Sequence, residues 1–425
     1  MDLTHQEINL LRGQFPAFQR TIDGIPVAYF DGPAGTQVPQ RVADAVSSYL
    51  LSSNANHAGL FATAIESDQM LDAARVGFSE FVGADDPAEI YFGQNMTSLT
   101  FAFSRAISQT WSSGDEIILT RMDHDANVTP WVLAARDRGI KVNYVDFHQE
   151  TFRLDIDQLE SYLNSNTRLV AVGCAANAAG TINPVTEICR LAKRYQAKVF
   201  LDAVHYAPHR LIDVKEFGCD FLVCSAYKFF GPHTGIFWGK RQLLEGLEAY
   251  KVRPATNRLP GKWMTGTQSH EGIVGSLEAV DYIADIGRDL RGDPTLGRRD
   301  SLIAAFSAIG RYEQKLTDIM LSGFKSIPGI QLFGIADPCR PDLRVATFSI
   351  ICRGISTADF AKRLCDRGHF VWHGHYYALQ FSEQLGLEPE GMVRIGMVHY
   401  NTVEEVNRLL DDIRSIASSV SESSG

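Results

Sequence analysis

The chain has 425 residues, of which 45% are hydrophobic and 21% charged, and its formal net charge at pH 7 is -10. Because this length exceeds what one hydrophobic core usually supports, a large domain with a smaller one is expected. The 50 acidic and 40 basic side chains are spread without a basic block, which argues against nucleic acid or an anionic membrane as partner and favours a small molecule. Without a charged leader before an apolar run, or a stretch able to span a bilayer, the pattern predicts a cytoplasmic protein.

The number and spacing of the cysteines argue against both disulfide bonds and a metal site. They stand at positions 174, 189, 219, 224, 339, 352 and 365. Their number is odd, and they form neither a close CxxC pair nor a His/Cys ligand spacing. The sequence therefore predicts neither a disulfide framework nor a metal site, and reduced cysteines.

Short strand-like runs alternate with helical stretches from Glu89 onward. In chain order these runs are EIYF, DEIILT, KVNYVDF, RLVAVGC, KVFLDAV and DFLVCSAY. Runs such as LVAVGC are apolar on both faces, as strands buried between two helical layers must be. The sequence predicts an α/β fold with a mainly parallel sheet sandwiched by helices, and ligand chemistry at the carboxyl ends of its strands.

The pattern changes after about Leu290. A long helical stretch, DSLIAAFSAIGRYEQKLTDIMLSGF, precedes the strand-like RVATFSII and the helical TADFAKRLCDRG and EEVNRLLDDIRSIA. This pattern predicts a small C-terminal α+β domain. We place an N-terminal arm that packs with the small domain at 1–24, the large domain at 25–295 and the small domain at 296–425.

Two charged residues follow neighbouring strands. Asp202 ends KVFLDA, where a carboxylate needs a cationic partner to offset desolvation; a capping or salt-bridged aspartate is the plain alternative. Lys228 stands just past the next strand, in FLVCSAYKFFGP. A lysine whose pKa is lowered by apolar surroundings suits Schiff-base chemistry, whereas an exposed lysine opening a loop is the alternative.

Together, an aspartate at one strand end and Ser-x-x-Lys at the next resemble the fold-type I pyridoxal 5'-phosphate (PLP) enzymes. The resemblance is to the class V aminotransferase superfamily, which contains the cysteine desulfurases, and it spans nearly the whole chain. The matching segments, in family order, are YFDGPAGTQVP, GQNMTSLTFAF, MDHDANVTPW, ANAAGTINP, KVFLDAVHYAPH, SAYKFFGP, MTGTQSHEG and MVRIGMVHYNTVEEV. It implies the fold of type I PLP-dependent transferases.

The resemblance also implies catalytic roles. Lys228 would carry PLP as a Schiff base and remove the Cα proton of the substrate. Asp202 would keep the pyridine nitrogen protonated, so that the ring can accept the electrons left at Cα. His124 would stack on the ring and relay protons, tasks that suit a flat side chain titrating near neutrality; a surface histidine is the alternative.

Further residues are implied to bind the cofactor. His205, where desulfurases usually have glutamine, and Asn177 would face the edge of the cofactor that carries the 3' oxygen. Thr97 opens a helical stretch whose free N–H groups favour an anion. The implied phosphate-binding set is Asn95, Met96, Thr97, Ser225, Tyr227 and, from the other subunit, Thr267. A complete site would then require a homodimer with shared active sites.

The substrate is implied to be an amino acid. Arg394 matches the arginine that clamps the substrate α-carboxylate, a task suited to a planar fork of donors; a structural salt bridge is the alternative. Ala34, Asn177 and Tyr377 complete the implied substrate-binding set.

The sequence departs from the desulfurase pattern at one place. Desulfurases take sulfur on a mobile cysteine in the small domain, and the corresponding loop here is VWHGHYYALQF, with Tyr377 at the aligned position. We therefore predict a C–S lyase, which releases pyruvate and ammonia from cysteine, cystine or a related S-substituted amino acid. An epimerase or aminotransferase, and a PLP-binding accessory protein without turnover, are alternatives. Tyr376 and Tyr377 could donate a proton to the leaving group or only form the pocket wall.

Overall fold

The computed structural model describes residues 2–337 and 340–423, so Cys339 lies outside the described residues. Its strands are β1 (Thr21–Ile22), β2 (Ile25–Pro26), β3 (Ala28–Tyr29), β4 (Ile90–Gly93), β5 (Glu116–Thr120), β6 (Lys141–Val145), β7 (Phe147–His148), β8 (Arg153–Leu154), β9 (Thr167–Gly173), β10 (Lys198–Asp202), β11 (Phe221–Ser225), β12 (Gly235–Gly239), β13 (Ile330–Phe333), β14 (Thr347–Cys352), β15 (His369–Phe370), β16 (Trp372–Gly374) and β17 (Met392–Gly396). Its α-helices are α1 (His5–Arg12), α2 (Gln40–Ser52), α3 (Ala62–Val82), α4 (Met96–Ser108), α5 (Thr129–Arg138), α6 (Ile156–Tyr162), α7 (Val185–Arg194), α8 (Val214–Phe217), α9 (Arg241–Gly246), α10 (His270–Arg291), α11 (Arg298–Ser326), α12 (Thr357–Cys365), α13 (Leu379–Gln384) and α14 (Val403–Ser423).

A seven-stranded sheet forms the centre of the large domain, in the order β4-β12-β11-β10-β9-β5-β6. Strands β6, β5, β9, β10 and β11 pair in parallel. Strand β12 is antiparallel to both β11 and β4, so β4 again points the same way as the first five. The predicted α/β fold with a mainly parallel sheet is confirmed, and six strands of this sheet overlap the six predicted runs.

Alternate residues along each central strand belong to two separate cores. Phe200 of β10 packs in one core, together with Phe103 of α4 and Trp131 of α5. Its neighbour Leu201 belongs to the other core, which includes Leu191 of α7. Positions 199–201 of this strand are all apolar because helices cover both faces of the sheet, as the sequence pattern indicates.

A second sheet, ordered β13-β14-β17-β16, is antiparallel throughout. The N-terminal segment reaches this region, because β3 pairs with β15. On α1, Arg12 also forms an ion pair of 2.7 Å with Glu405 of α14. The residue bounds that we assign to the arm and the two domains stay a prediction.

The buried segment 175–182, which follows β9, joins the two sheets through its backbone. The Ile182 amide donates to the Leu343 carbonyl at 2.8 Å, and the Val345 amide donates to the Gly180 carbonyl at 2.8 Å. The Ser349 hydroxyl of β14 donates to the Ala178 carbonyl at 2.7 Å. The small sheet is thereby fixed beside the carboxyl end of β9.

In the described part of the chain, no helix combines the length and the apolar character needed to cross a bilayer.

Gly235 allows β12 to pass directly beneath the start of α4. A Cβ atom at this position would lie 2.5 Å from the carbonyl carbon of Asn95. We expect Gly235→Ala to lower the free energy of unfolding by about 1–3 kcal/mol, because backbone must move to make room. Urea denaturation measures this change. Gly246→Ala is the control, since a Cβ there meets no atom within 4 Å; equal stability of the two variants would contradict the close approach.

Candidate active site

A cavity of about 800 Å³ opens at the carboxyl ends of β4, β5, β9, β10 and β11. These ends meet at one edge of the sheet because the five strands point the same way. The predicted site residues that line the cavity are Asn95, Met96, Thr97, His124, Asn177, Asp202, His205, Ser225, Tyr227, Lys228 and Tyr377. Residues that are far apart in sequence therefore share one space.

Asp202 is the last residue of β10 and is buried between β9 and β11. Its Oδ1 accepts a hydrogen bond of 2.8 Å from the Val204 amide. Burial raises the pKa of this carboxyl to about 6, although the Val204 amide and the Lys228 charge act in the opposite direction. Within the described residues no side chain forms an ion pair with Asp202, so the cationic partner expected from the sequence is not supplied by such a pair.

Lys228 ends a short 3-10 turn, Ala226–Lys228, directly after β11. Its Nζ donates hydrogen bonds to the carbonyls of Pro33 and, at 3.1 Å, Ala34. The side chain lines the cavity but is enclosed by protein elsewhere, and this burial, assisted by the charge of Arg394, lowers the pKa of the amine to about 7. A large unprotonated fraction near neutrality makes this lysine a capable nucleophile and base.

The amino end of α4 faces the cavity. Asn95 caps the helix by accepting a hydrogen bond of 2.8 Å from the Ser98 amide. The Met96 amide donates to the Ser225 hydroxyl at 2.9 Å, which leaves the hydroxyl hydrogen to be donated to a ligand. Thr97 is the second residue of the helix, so its amide lies in the first turn, where an anion is favoured.

His124 lies in the loop after β5 and is neutral at physiological pH. Its Nδ1 accepts a hydrogen bond of 3.0 Å from the Ala126 amide, which places the ring proton of the neutral form on Nε2. Burial, together with the charges of Lys228 and Arg394, lowers the pKa of His124 to about 3. The expectation that this side chain titrates near neutrality is therefore wrong.

Arg394 lies beside the cavity, in the buried strand β17. Its Nη1 donates to the Asn177 carbonyl at 3.2 Å, and its guanidinium lies 4.4 Å from the centre of the Tyr376 ring. Burial lowers the pKa of Arg394 to about 10. Among the described residues no carboxylate forms an ion pair with this arginine, so the structural salt bridge is not the arrangement found.

The loop that carries Tyr376 and Tyr377 is tied to the large domain. The Asn177 side-chain amide donates to the Tyr376 carbonyl at 2.9 Å, and the Asp125 amide donates to the Tyr377 carbonyl at 2.7 Å. The Tyr376 hydroxyl donates to the Met392 carbonyl, and burial raises its pKa. Because this phenol is held away from the cavity, Tyr377 is the tyrosine of the pair that can meet a ligand.

His205 connects the cavity to the small sheet. Its Nε2 lies 3.1 Å from the Thr347 hydroxyl of β14, and its ring packs edge-on against His209 at 5.6 Å. Burial lowers the pKa of His205 well below the usual value. The second predicted residue at this edge, Asn177, keeps a buried side-chain oxygen that has no hydrogen-bond partner in the described chain.

The other predicted site residues occupy different positions. Ala34 contacts Lys228 through its backbone carbonyl. Tyr227 stacks on His233 with a ring distance of 5.0 Å. Thr267 is exposed and does not line the cavity of its own chain.

Two carboxyl groups were not predicted from the sequence. Asp123 is buried at the cavity wall, where burial and the charge of Asp202 raise its pKa to about 8, and it accepts a hydrogen bond of 2.7 Å from the Gly173 amide. Asp31 has a buried Oδ1 without a partner in the described residues, and burial raises its pKa to about 6. Asp123 follows the end of β5 much as Asp202 ends β10, a signal that the sequence did contain.

The described cysteines do not line the cavity. Cys365 is half-buried, and its thiol points to the Val371 carbonyl at 3.9 Å.

Comparison with known proteins gives one matching family and many relatives. The family described as aminotransferase class-V matches residues 28–291 and 302–409. A cysteine desulfurase from Synechococcus elongatus is 30% identical over 428 residues, which cover 96% of this chain but 64% of that longer protein. A probable cysteine desulfurase from Synechocystis sp. is 29% identical over 424 residues, covering 95% of this chain and 94% of that protein.

Two solved structures share the fold. The apo structure of a cysteine desulfurase from Thermococcus onnurineus NA1 has a TM-score of 0.86 at 24% identity, covering 97% of this chain and 98% of that one. A cysteine desulfurase from Escherichia coli has a TM-score of 0.81 at 23% identity, with 97% and 98% covered. At these identities the two structures bear on the fold alone.

The lowered pKa of Lys228 makes the stability of the cofactor-free protein depend on pH. Between the folded value of about 7 and the usual value of 10.5, the unfolded chain binds a proton that the folded protein does not. The free energy of unfolding of the wild type should therefore rise with pH relative to Lys228→Met, by at most about 1.4 kcal/mol per pH unit. We expect the variant to be the more stable protein at pH 7 and the difference to shrink towards pH 10.

Urea denaturation at several pH values measures this difference. The same substitution at the exposed Lys325 is the control for loss of a lysine from the surface. A difference between Lys228→Met and the wild type that does not change from pH 7 to pH 10 would contradict the lowered pKa.

Proposed function

This chain belongs to the class V aminotransferase family, and on that premise we propose that it is a PLP-dependent C–S lyase. Its substrates would be cysteine, cystine or another S-substituted cysteine, which it would split by β-elimination. The cysteine desulfurases among its relatives also support chemistry at the bond between Cβ and sulfur.

The cavity fits PLP in three respects. The buried Asp202 carboxylate has no ion-pair partner among the described side chains, so it is available to bind a protonated ring nitrogen. The partnerless side-chain oxygen of Asn177 lies at the same wall. The first turn of α4, with Ser225 beside it, presents donors suited to a phosphate.

We assign the cofactor contacts to the residues at these positions. Lys228 would hold PLP through its amine, Asp202 would hold the ring nitrogen, and His124 would cover the ring. Asn177 and His205 would meet the oxygen-bearing edge. The phosphate would be held by Asn95, Met96, Thr97, Ser225 and Tyr227, with Thr267 of a second copy. When bound, PLP supplies a protonated ring that accepts the electrons left at Cα of the substrate.

The chain's own residues would move the substrate and its proton. Arg394, whose guanidinium is not neutralised by an ion pair within the described chain, would bind the α-carboxylate; Ala34, Asn177 and Tyr377 would surround the rest. Lys228, with a pKa of about 7, would take the Cα proton on Nζ and pass a proton to the departing sulfur. His124 would remain neutral, because its pKa is about 3.

The residue that stands at the cysteine position of the substrate loop decides between β-elimination and desulfuration. Tyr377 lines the cavity, whereas the described cysteines do not. A thiol that could take sulfur from the substrate is thus not among the described lining residues. Expulsion of sulfur as a free thiol or persulfide is the reaction that such a cavity supports.

A homodimer is proposed because Thr267 does not reach the cavity of its own chain. Exposed apolar side chains also cluster at the end of α2 and the start of α3, where Leu60 is 97% and Phe61 59% exposed. Beside them, a groove lined by Val42, Val46 and Pro232 adjoins the cavity residue His233. Such a patch is typical of an interface.

The products distinguish the reactions. We expect PLP-loaded protein incubated with L-cysteine, L-cystine or an S-alkyl-L-cysteine to give pyruvate and little alanine. Alanine from L-cysteine would mean desulfuration instead. Lys228→Ala is the control for non-enzymatic release; neither product, with a cofactor spectrum that responds to other amino acids, would favour an epimerase or aminotransferase.

The dimer is tested at its most exposed apolar residue. We expect Leu60→Asp to shift the protein from dimer to monomer in sedimentation equilibrium and to weaken PLP binding, since Thr267 of the partner would be lost. Leu10→Asp is the matched control, because Leu10 is 68% exposed on α1. A wild type that sediments as a monomer yet binds PLP fully would contradict the shared site.

A further inference from the structure

We propose that the preferred substrate carries an uncharged apolar group, aromatic in the best case, on its sulfur, and that Tyr377 is the specificity-determining residue that packs against this group. The inference rests on the proposed β-elimination and names the substrate class of that same site.

Tyr376 and Tyr377 cover two different residues of the site. The Tyr376 ring lies against the guanidinium of Arg394 at 4.4 Å. The Tyr377 ring stacks on His124, with 5.4 Å between ring centres and 28° between the ring planes. Tyr377 lines the cavity and directly follows the residue that covers Arg394. We therefore expect the sulfur substituent of a substrate held at Arg394 and Lys228 to extend past Tyr377.

The position of the Tyr377 ring is imposed by the backbone. Both tyrosines have positive φ angles, 53° and 61°, a conformation that is unfavourable for side chains of this size. Their two carbonyls accept hydrogen bonds from Asn177 and Asp125. The loop therefore holds the ring at the cavity although Tyr377 is 68% exposed to solvent. An apolar substituent that packed on this ring would remove that surface from water.

The charges of the lining argue against a substituent with its own carboxylate. Among the described residues that line the cavity, Lys228 is the one lysine or arginine, and the proposed reaction uses it as the base at Cα. Arg394 is reserved for the α-carboxylate. The second carboxylate of cystine would thus enter the cavity without a cation to meet it. Apolar lining is available instead, from Phe101, Ala126, Pro130 and Val204.

The reaction on such a substrate balances without an oxidant or reductant. The Cα–H bond breaks as Lys228 takes the proton, and the Cβ–S bond breaks with its electron pair leaving on sulfur. The sulfur accepts a proton and departs as a thiol. The three-carbon remainder takes up one water and ends as pyruvate and ammonium.

Three substrates separate size, aromatic character and charge: S-benzyl-, S-propyl- and S-carboxymethyl-L-cysteine. We expect the wild type to convert the propyl compound with kcat/KM about tenfold above the carboxymethyl compound, and the benzyl compound better still. Pyruvate and the released thiol are both measured. Equal kcat/KM for the propyl and carboxymethyl compounds would overturn the uncharged substrate class.

Variants at Tyr377 test whether its ring sets the preference for an aromatic sulfur substituent. Tyr377→Phe keeps the ring and should keep the benzyl-to-propyl ratio, whereas Tyr377→Ala should reduce that ratio about fivefold to tenfold. Comparing ratios cancels the intrinsic reactivity of each leaving thiol. Trp372→Ala is the control, because Trp372 is a neighbouring aromatic, 54% exposed, that does not line the cavity. Calorimetric binding of S-benzyl-L-cysteine to Lys228→Ala, with and without Tyr377→Ala, gives the same comparison without turnover.

The outcomes are distinct. An unchanged ratio in folded Tyr377→Ala overturns the role of Tyr377 while pyruvate formation upholds the proposed elimination. A ratio lost in Tyr377→Phe as well would assign the effect to the hydroxyl and overturn packing as its cause. Pyruvate from none of the substrates would overturn the proposed elimination and this inference together.

Discussion

The site depends on one unfavourable arrangement. Several ionisable groups are buried close together, and they do not form ion pairs with one another. Within the described residues, Asp31, Asp123, Asp202, Lys228 and Arg394 lie at or next to one cavity, and each has a pKa displaced by burial. Such groups destabilise the folded protein unless a ligand supplies the missing charges. The arrangement is thus complementary to a ligand that brings both an anion and a cation.

The rest of the fold keeps these groups in place despite the unfavourable free energy of burying them. Parallel strands direct their carboxyl ends to one edge, and the two apolar cores fix each strand from both faces. Arg394 comes from the other sheet, where β17 is paired on both sides. The segment 175–182 joins the sheets through its backbone carbonyls and amides, which helps to fix the position of Arg394 relative to Lys228.

The sequence predicts those site residues that directly follow a recognisable strand. Asp202 and Lys228 follow apolar runs, so their arrival at one edge follows from a parallel sheet. Contacts between distant segments are less accessible to sequence reasoning. The enclosure of Asp31 depends on how the N-terminal segment meets β17, and the low pKa of His124 depends on its burial and on two cations from other elements. The hydrogen bond from the Asn177 side chain to the Tyr376 carbonyl likewise arises only when the small sheet docks.

The joint at 175–182 consists mostly of small residues, with alanines at 175, 176, 178 and 179 and a glycine at 180. Gly180 has a φ of 74°, and a Cβ there would lie 2.5 Å from the Thr347 carbonyl oxygen. Because main-chain groups of the segment form these bonds, a side chain at position 180 would enter the space that the small sheet occupies. The close approach of the two sheets at this segment therefore depends on the absence of a side chain at position 180.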